Sequence, residues 1–307
     1  MSEFEWIKKY FAPLATISGA AGLTDDVAQI SPANRIITAD ALVEAVHFLP
    51  SDPIDTVARK LVRVNVSDVL AKGAKPAEAL LTLGWPRTRT EDQLKRFADA
   101  FGEELAKWGI DLVGGDTVTS PSTLFVSLTL TGTLPDGAKP IRRFGAKPGD
   151  IIWISGEIGW GGAGLTAARN REGNEAAARY RVPEIPSIAI AETILSHASA
   201  SMDVSDGLIA DLTKLLAASG CGAAIALDTV LLAAPVDPDS LKAVLGAVTA
   251  GDDYQCLFTA PPEVSGDISA AGLQLTQIGS VTENCDLDLK WRGKPVLVPA
   301  RTGFEHK

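Results

Sequence analysis

The stretch Ser201-Met202-Asp203-Val204-Ser205-Asp206-Gly207-Leu208 places two carboxylates and a hydroxyl within four residues, directly ahead of a helical pattern. Residues 209–218 repeat apolar side chains at helical spacing, and Gly220 follows where a left-handed residue commonly ends a helix. We therefore predict a strand-to-helix junction here. Its core-facing stripe consists of Leu208, Leu212, Leu215 and Leu216.

Asp203, Ser205 and Asp206 have two possible roles at this junction. Each of them could cap the helix, because a side-chain oxygen at a helix start accepts the first free backbone N–H groups. One cap needs one such residue, and the chain supplies three. We expect one of the three to cap the helix and the surplus to belong to a functional site.

Bulk composition limits the class of protein. The 307 residues exceed a single typical core and suggest two domains, and 46% hydrophobic with 21% charged residues is the composition of a soluble globular protein. A net charge of −10 argues against nucleic-acid binding through a general basic surface. A phosphorylated ligand stays open, because local groups and metal ions decide such binding.

Cysteine usage and the first residues predict a location. Cys221, Cys256 and Cys285 are odd in number and far apart, which fits neither a disulfide framework nor a zinc site and favours a reducing compartment. The start, Met1-Ser2-Glu3-Phe4-Glu5-Trp6, carries acids where a signal peptide carries basic residues, and no apolar run reaches membrane-spanning length. We expect a cytoplasmic protein without a membrane partner.

Residues 54–72 give the clearest helical pattern of the first half. Leu61, Asn65 and Asp68 fall on one face, at steps of four and three, among apolar neighbours. A carboxylate is costly to bury there unless it is paired or bound to a cation. Either Asp68 reaches water at the edge of this face, or it belongs to a buried polar site.

Further acids lie at turns or at the ends of predicted strands. Asp25 and Asp26 share a short turn, and a predicted strand ends on Asp40. A short apolar strand runs into Gly114-Gly115-Asp116-Thr117, and a later turn reads Gly251-Asp252-Asp253. If these acids converge, their mutual repulsion requires cations, and all-oxygen ligands select Mg²⁺. Carboxylates with Mg²⁺, in a chain without the GxxxxGK[ST] run of a P-loop, indicate a phosphoryl-transfer site.

Loops divide the chain in the middle. A loop over residues 135–140 and a turn over residues 146–150 separate two predicted strands, so we place the boundary near residue 140. Arg142 and Arg143 follow the boundary, where paired arginines either face solvent or contact a phosphate. The predicted domains are residues 1–140 and 141–307.

Gly159-Trp160-Gly161-Gly162-Ala163-Gly164 fits the GxGxxG pattern of dinucleotide-binding proteins and precedes a helical run. A true fingerprint also needs an acid that ends a second strand about 20 residues further on. Residues 181–186 contain two prolines and do not form such a strand. We therefore discount a nicotinamide-binding role for this segment.

Taken in order, the motifs of this chain resemble those of the thiamine-monophosphate kinases. The resemblance covers nearly the whole chain, and the ordered set is far more specific than any one motif. The matching segments are Thr24-Asp25-Asp26, Thr38-Ala39-Asp40, Val43-Glu44-Ala45-Val46-His47-Phe48, Asn65-Val66-Ser67-Asp68, Gly114-Gly115-Asp116-Thr117, Gly145-Ala146-Lys147-Pro148-Gly149-Asp150, Asp203-Val204-Ser205-Asp206-Gly207-Leu208 and Gly251-Asp252-Asp253-Tyr254.

The resemblance implies an ATP-dependent enzyme that phosphorylates thiamine monophosphate to thiamine diphosphate, the last step of thiamine diphosphate biosynthesis. It implies the two-domain α/β (α+β) fold of the aminoimidazole ribonucleotide synthetase superfamily. In that fold the N-terminal domain forms a barrel across a homodimer, and the C-terminal α/β domain completes the site. ATP is then the co-substrate and several Mg²⁺ ions are the cofactors.

Residue roles follow from the same resemblance. The implied Mg²⁺ ligands are Asp25, Asp26, Thr38, Asp40, Asp68, Asp116, Asp203 and Asp206. The implied ATP contacts are Gly115, Asp116, Thr117, Ser205 and Arg142, with Arg143 as the alternative to Arg142. Thiamine monophosphate is held by His47, Asp252 and Phe304. The residues beside the transferring phosphoryl group are Asp203, Ser205 and Asp206.

In-line transfer to an acceptor that is already an ionised phosphate needs charge neutralisation and positioning rather than a strong general base. The chain departs from the family pattern at several places. Asp252 stands where Glu is usual and is shorter by one methylene, so its role is the least certain of the implied set. The other departures are Thr24, Ala39, Gln255 and the tail Phe304-Glu305, where Tyr-Asp is usual.

Two alternatives stay open: another ATP-dependent member of the superfamily, or a nucleotide-binding subunit without catalysis. Hydrogenase-maturation relatives end in a cysteine-bearing tail, and selenophosphate synthetases need a reactive Cys or selenocysteine near the N-terminus. The first cysteine of this chain is Cys221, and its tail has none. The intact acids argue against a non-catalytic subunit.

Overall fold

The computed structural model describes residue 5 and residues 7–304. Short helical turns at Ile7–Phe11, Ala12–Leu14 and Ser18–Leu23 precede the first sheet. This sheet has five strands in the order β1-β2-β5-β3-β4, in which β3 and β4 run parallel and the other pairs antiparallel. The strands are β1 (Ala28–Ile30), β2 (Arg35–Val43), β3 (Lys75–Pro86), β4 (Asp111–Ser120) and β5 (Phe125–Thr133).

Two long helices accompany the first sheet, and both confirm the helical periodicity of the sequence. Helix α1 (Ile54–Ala71) packs on β2 and β5, and helix α2 (Glu91–Trp108) packs on α1. Thr90 and Gln93 form a capping box at the start of α2, and Gly109 ends it in the left-handed conformation. These local signals explain why the two helices were predictable from sequence.

Strand β5 has one face towards α1. Val126, Leu128 and Leu130 are fully buried, whereas the alternating Ser127, Thr129 and Thr131 are only partly buried. Gly132 continues the buried face, and its missing side chain lets Val69 of α1 approach the strand. The sheet thereby fixes the position of α1, the helix that carries Asp68.

Strand β4 corrects the expected turn at the glycine pair. Gly114, Gly115 and Asp116 lie inside β4, where Gly115 pairs with Leu81 of β3, and not at the end of a strand. A Cβ on Gly115 would lie 1.9 Å from the carbonyl oxygen of Leu81. A glycine is therefore required here for β4 to lie this close to β3. The whole of β4 is exposed except its last residue, which is half-buried.

The second sheet has seven strands in the order β12-β11-β8-β10-β6-β9-β7. Its strands are β6 (Ile151–Ser155), β7 (Ala200–Asp203), β8 (Gly222–Ala226), β9 (Cys256–Ala260), β10 (Leu275–Thr282), β11 (Leu287–Trp291) and β12 (Lys294–Val296). The helices of this half are α3 (Trp160–Arg169), α4 (Glu175–Arg181), α5 (Ala189–His197), α6 (Leu208–Ser219), α7 (Leu241–Val248) and α8 (Ser265–Ala270). Turns at Leu227–Thr229 and Pro262–Val264 complete it.

Helix α1 joins the two halves. It contacts β2 and β5 of the first sheet and also β7, β9 and α5 of the second half. One buried apolar cluster contains Val69 of α1 together with Ile194 of α5 and Phe258 of β9. The end of α1 therefore lies beside the end of β7, where the Asp203 junction begins.

Two further findings concern the membrane and the cysteines. Within residues 5 and 7–304, no helix has both the length and the apolar character that a membrane span requires. Cys221, Cys256 and Cys285 are all free thiols, as their number and spacing predicted. Cys221 and Cys256 are buried, and Cys285 is exposed.

Gly132→Ala should destabilise the protein, because the new Cβ would lie 2.7 Å from Val69 Cγ1 and 2.9 Å from Ile36 Cγ1. We expect the free energy of unfolding in urea to fall by about 1–3 kcal/mol. Gly102→Ala in α2 is the matched control, since no described heavy atom lies within 4 Å of its Cβ position. That variant should be neutral or more stable by up to about 1 kcal/mol. Equal stability of the two variants would contradict the packing argument.

Candidate active site

The junction between β7 and α6 begins with an unexpected cap. Helix α6 starts after Gly207, and among the described residues no side chain caps it in the usual sense. Instead, Asp211 from the first turn accepts the backbone N–H groups of Asp206 at 2.9 Å and Gly207 at 3.1 Å. The expectation that Asp203, Ser205 or Asp206 caps the helix was wrong, because Gly207 is the N-cap residue and the described structure has no side-chain hydrogen bond to the first N–H groups of α6. The three side chains are therefore available for other contacts.

Three buried carboxylates meet at this junction. Carboxylate oxygens of Asp26, Asp68 and Asp203 all lie within 4.8 Å of one another. Asp68 is 9% exposed and Asp203 is 4% exposed, so the alternative in which Asp68 reaches water at the edge of α1 is excluded. The three residues come from the turn before β1, from α1 and from the end of β7. We call them the acid trio.

Hydroxyl and amide groups hold this arrangement. Thr38 Oγ1 lies 2.6 Å from Asp68 Oδ2, and the Ser67 hydroxyl donates to Asp203. The side-chain carbonyl of Asn65 accepts the backbone N–H of Asp40 at 3.0 Å. The family resemblance gave Thr38 a role as a metal ligand. It gave no role to Ser67 or Asn65, although both lie in the Asn65–Asp68 motif. Their spacing on α1 was the signal, since Asn65 and Asp68 share one helical face.

Burial and mutual repulsion shift the pKa values of these acids. Burial, reinforced by Asp26 and Asp206, raises the pKa of Asp40 to about 6. Burial, with neighbouring acids adding to it, also raises the pKa of Asp68 and of Asp203 well above the usual value. Burial acts in the same direction on Asp26, but Lys72 and Arg143 outweigh it and hold its pKa at about 2. A bound cation would lower the pKa values of Asp68 and Asp203, as Lys72 and Arg143 lower that of Asp26.

Fixed cations surround Asp25 and Asp26. Lys72 Nζ lies 2.7 Å from Asp25 Oδ1 and 2.5 Å from Asp26 Oδ2. Arg142 Nη1 lies 3.4 Å from Asp25 Oδ2, and Arg143 pairs with Asp26. The sequence had singled out both arginines but missed Lys72, because a lysine after a helix is ordinarily solvated. The predicted contact of Arg142 with ATP stays a prediction.

Asp206 has a different partner from the acid trio. Its carboxylate pairs with Lys214 of α6, which also lies 2.8 Å from Asp211. Sequence reasoning missed Lys214 as well, although its spacing of eight residues from Asp206 would have placed both at α6. Among the described residues that could jointly hold a metal ion, Asp206 is outside the trio.

A cavity of about 350 Å³ joins these groups to the predicted substrate residues. Its wall includes two of the trio acids, Asp68 and Asp203. Glycine and apolar side chains separate the polar groups. The predicted site residues that line it are Asp40, His47, Asp68, Asp203, Ser205, Asp206, Asp252 and Phe304.

The chain terminus returns to this cavity. The Phe304 backbone N–H donates to the Asp206 carbonyl at 2.9 Å, and the Phe304 side chain is 42% exposed at the cavity wall. The tail is therefore attached to the junction between β7 and α6 as far as Phe304. His47 Nδ1 accepts the Val43 backbone N–H at 3.0 Å, which fixes the orientation of its ring.

Asp252 lies between the cavity and a buried lysine. The residue adopts a left-handed conformation with φ of 69°, and its N–H donates to the Ser205 carbonyl at 2.8 Å. Its carboxylate accepts Lys60 Nζ at 2.8 Å and the Tyr254 hydroxyl at 2.8 Å. Lys60 is only 1% exposed, so the shorter acid at this position is firmly held.

The predicted ATP residues of β4 lie elsewhere in this chain. Gly115, Asp116 and Thr117 are exposed. Asp116 lies on β4 and Asp40 on β2, and the strand order β2-β5-β3-β4 puts three strand-to-strand spacings between them. At the usual strand spacing that is about 14 Å. Their roles as ATP and Mg²⁺ contacts stay predictions.

The glycine-rich start of α3 holds an internal anion. Gly159 and Gly161 donate their backbone N–H groups to the Asp253 carboxylate at 2.9 and 3.1 Å. Burial raises the pKa of Asp253 to about 7, against the lowering effect of these donors. The positive end of this helix is thereby occupied by the chain's own side chain. The glycines that match GxGxxG serve a contact between α3 and the Asp252 loop.

The chemistry of this cavity follows from its donor set. The trio offers only hard oxygen ligands, which suit Mg²⁺, and Arg142 and Arg143 can pair with phosphate oxygens. The same cavity is also lined by an imidazole, a further carboxylate and an aromatic ring, those of His47, Asp252 and Phe304, which can hold an organic acceptor. Such a site suits transfer of a phosphoryl group between two bound molecules.

Comparisons with known proteins agree with this chemistry. The chain matches the family models for the AIR synthase related protein, N-terminal domain, over residues 24–134, and C-terminal domain, over residues 147–292. The thiamine-monophosphate kinase of Caulobacter vibrioides is 35% identical over 99% of this chain and 91% of that protein. The thiamine-monophosphate kinase of Salmonella typhimurium is 34% identical over 99% of this chain and 98% of that protein.

Solved structures give the same picture. AaThiL complexed with AMPPCP and TMP matches with a TM-score of 0.85 and 29% identity, over 100% of this chain and 97% of that chain. The hydrogenase maturation protein HypE in complex with ATP matches with a TM-score of 0.69 at 19% identity, which shows the shared fold alone. The predicted two-domain α/β fold is confirmed. The chain belongs to the thiamine-monophosphate kinase family, within the AIR synthase related proteins.

Proposed function

We propose that this protein is an ATP-dependent kinase that phosphorylates thiamine monophosphate to thiamine diphosphate. The observation that carries the proposal is the single cavity whose wall contains the trio acids Asp68 and Asp203 together with His47, Asp252 and Phe304. The related kinases named above and the solved complex with AMPPCP and TMP support the same reaction.

We also propose Mg²⁺ as the cofactor. Asp26, Asp68 and Asp203 would hold it, because their oxygens converge within 4.8 Å and the raised pKa values of two of them call for a positive charge. When bound, the ion neutralises phosphate oxygens of the nucleotide.

The protein's own groups contribute position rather than proton transfer. The acceptor phosphate is ionised at neutral pH, so no general base is required. Arg142 pairs with Asp25, and Arg143 pairs with Asp26. When ATP binds, both arginines can pair with its phosphate oxygens instead. Ser205 and Asp206 line the cavity next to the trio acid Asp203. Phe304 lines the same cavity and would limit the access of water to a bound substrate.

A homodimer with a barrel formed by the first sheets is proposed as well. Strand β4 is an edge strand that exposes Leu112, Val113 and Val118, with exposed Leu80 on the neighbouring β3. An exposed apolar edge of this kind favours pairing with a second copy. That copy would also cover Asp116. We retain the domain division near residue 140 and a cytoplasmic location, which the free cysteines support.

The decisive assay incubates the purified protein with ATP, Mg²⁺ and thiamine monophosphate. Chromatography should resolve thiamine diphosphate and ADP in equal amounts. A protein that binds ATP but forms no thiamine diphosphate would refute the kinase assignment.

Asp206→Asn should lower kcat roughly 100-fold while the protein stays folded, because a carboxylate that faces the phosphates is lost. Circular dichroism and thermal unfolding check the fold. Asp239→Asn is the matched control, since Asp239 is an exposed acid that pairs only with Arg292 among the contacts described. Normal turnover of Asp206→Asn would show that this acid has no part in the reaction.

Phe304→Ala should raise the KM for thiamine monophosphate roughly tenfold and leave the KM for ATP unchanged, because Phe304 lines the cavity and the family resemblance assigns it to the thiamine substrate. Leu297→Ala, at a position that is 92% exposed, is the control for loss of an apolar side chain near the terminus. A change in the KM for ATP instead would place Phe304 at the nucleotide.

Mg²⁺ should stabilise the nucleotide-free protein more at about pH 8 than at about pH 5, because metal binding requires ionised carboxylates. The pKa of Asp40 is raised to about 6 and those of Asp68 and Asp203 are also raised, so protons compete with the ion as the pH falls. Thermal unfolding with and without Mg²⁺ measures the difference. Asp68→Asn should remove most of it, and an equal Mg²⁺ effect at both pH values would contradict the assignment.

A further inference from the structure

Lys72, the residue that follows α1, carries a fully buried ammonium group. Its Nζ lies 2.7 Å from Asp25 Oδ1, 2.5 Å from Asp26 Oδ2 and 2.6 Å from the Ser201 carbonyl oxygen. All three neighbours are oxygen atoms, and two of them are carboxylate oxygens. The ammonium therefore occupies the kind of oxygen-lined position that a bound cation would take.

Asp25 directs both of its carboxylate oxygens towards protein groups. Oδ1 accepts the Asp26 backbone N–H at 2.9 Å and contacts Lys72, and Oδ2 lies 3.4 Å from Arg142. The side chain is 1% exposed. Its oxygens are not part of the converging group formed by Asp26, Asp68 and Asp203 among the described residues.

The charges around the trio leave room for one divalent ion. Five carboxylates, those of Asp25, Asp26, Asp40, Asp68 and Asp203, meet three fixed cations, those of Lys72, Arg142 and Arg143. The ionised set therefore has an excess of two negative charges, which one Mg²⁺ neutralises. Without the Lys72 ammonium the excess would be three, and Asp25 and Asp26 would keep only their contacts with Arg142 and Arg143.

We propose that Lys72 takes the place of one divalent cation in this site. The nucleotide-free protein then binds a single Mg²⁺ or Mn²⁺ per chain, at Asp26, Asp68 and Asp203, and Asp25 is not a ligand of that ion. Further ions enter only with the phosphates of the nucleotide. This inference rests on the proposed function only in taking the trio as a Mg²⁺ site.

The physical reason is that the ammonium is covalently attached and the metal ion is not. A lysine at this position supplies a positive charge to Asp25 and Asp26 at any metal concentration. A second metal ion would dissociate at low metal concentration and would have to bind again. Two buried carboxylates with one shared ammonium also have their charge compensated while the protein folds. Lys72 therefore keeps the turn that carries Asp25 and Asp26 attached to the end of α1 in the metal-free protein.

The test counts bound Mn²⁺ by equilibrium dialysis and by electron paramagnetic resonance, without nucleotide. The wild-type protein should bind one Mn²⁺ per chain. Lys72→Met, which keeps the length of the side chain and removes the charge, should bind two. Lys60→Met is the matched control, because Lys60 is an equally buried lysine of α1 that pairs with Asp252 and not with the trio. This control should still bind one ion.

Two ligand variants keep the proposal testable if Lys72→Met does not fold. Asp25→Asn should retain one bound Mn²⁺ per chain, and Asp68→Asn should lose it. The proposal is overturned if the wild-type protein binds two ions, if folded Lys72→Met still binds one, or if Asp25→Asn abolishes binding. Mn²⁺ counting involves no thiamine monophosphate, so failure of the kinase assay would leave this result interpretable.

Discussion

Mutual repulsion among the buried carboxylates of Asp26, Asp68 and Asp203 is the constraint on which the rest of the structure depends. At separations of up to 4.8 Å and an effective dielectric constant of about 20, each ionised pair repels by at least about 3 kcal/mol. A fold can keep such a group only if hydroxyls, amides and cations compensate it. Thr38, Ser67 and Lys72 supply part of this compensation, and the raised pKa values of Asp68 and Asp203 show that part of it is still required.

The position of α1 follows from the same requirement. The helix carries Asp68, a member of the acid trio. It packs on β5, where the missing side chain of Gly132 lets Val69 of the helix approach the strand. Two buried lysines, Lys60 of α1 and Lys72 directly after it, bind the second half of the chain through Asp252 and the Ser201 carbonyl, respectively. Polar contacts of this kind are directional, so they fix the distance between the two halves more narrowly than apolar packing alone. The cavity lies at this seam and owes its shape to both halves.

Two helices of the second half, α3 and α6, have aspartates of the chain bound to the N–H groups at or just before their starts. Asp211 accepts the N–H groups ahead of α6, and Asp253 accepts those at the start of α3. Asp203, Ser205 and Asp206 are consequently released from capping and can face the cavity. The junction contains more acids than a helix start needs because they have different roles. Asp211 binds backbone N–H groups at the start of α6, and Asp203 and Asp206 line the cavity.

Local pattern in the sequence was sufficient to predict α1, α2, α6 and β5, because periodicity and end signals act within a few residues. The ordered acidic motifs also named the family and all five aspartates that line the cavity. The sequence did not reveal Lys72, whose contacts depend on distances across elements, nor that Gly115 and Asp116 lie within a strand. Lys214 and Asp211 were missed although their contacts are local to the start of α6. Only the tertiary structure decided which acids are buried together and which cations neutralise them, because burial and charge pairing are properties of packed elements and not of neighbouring residues.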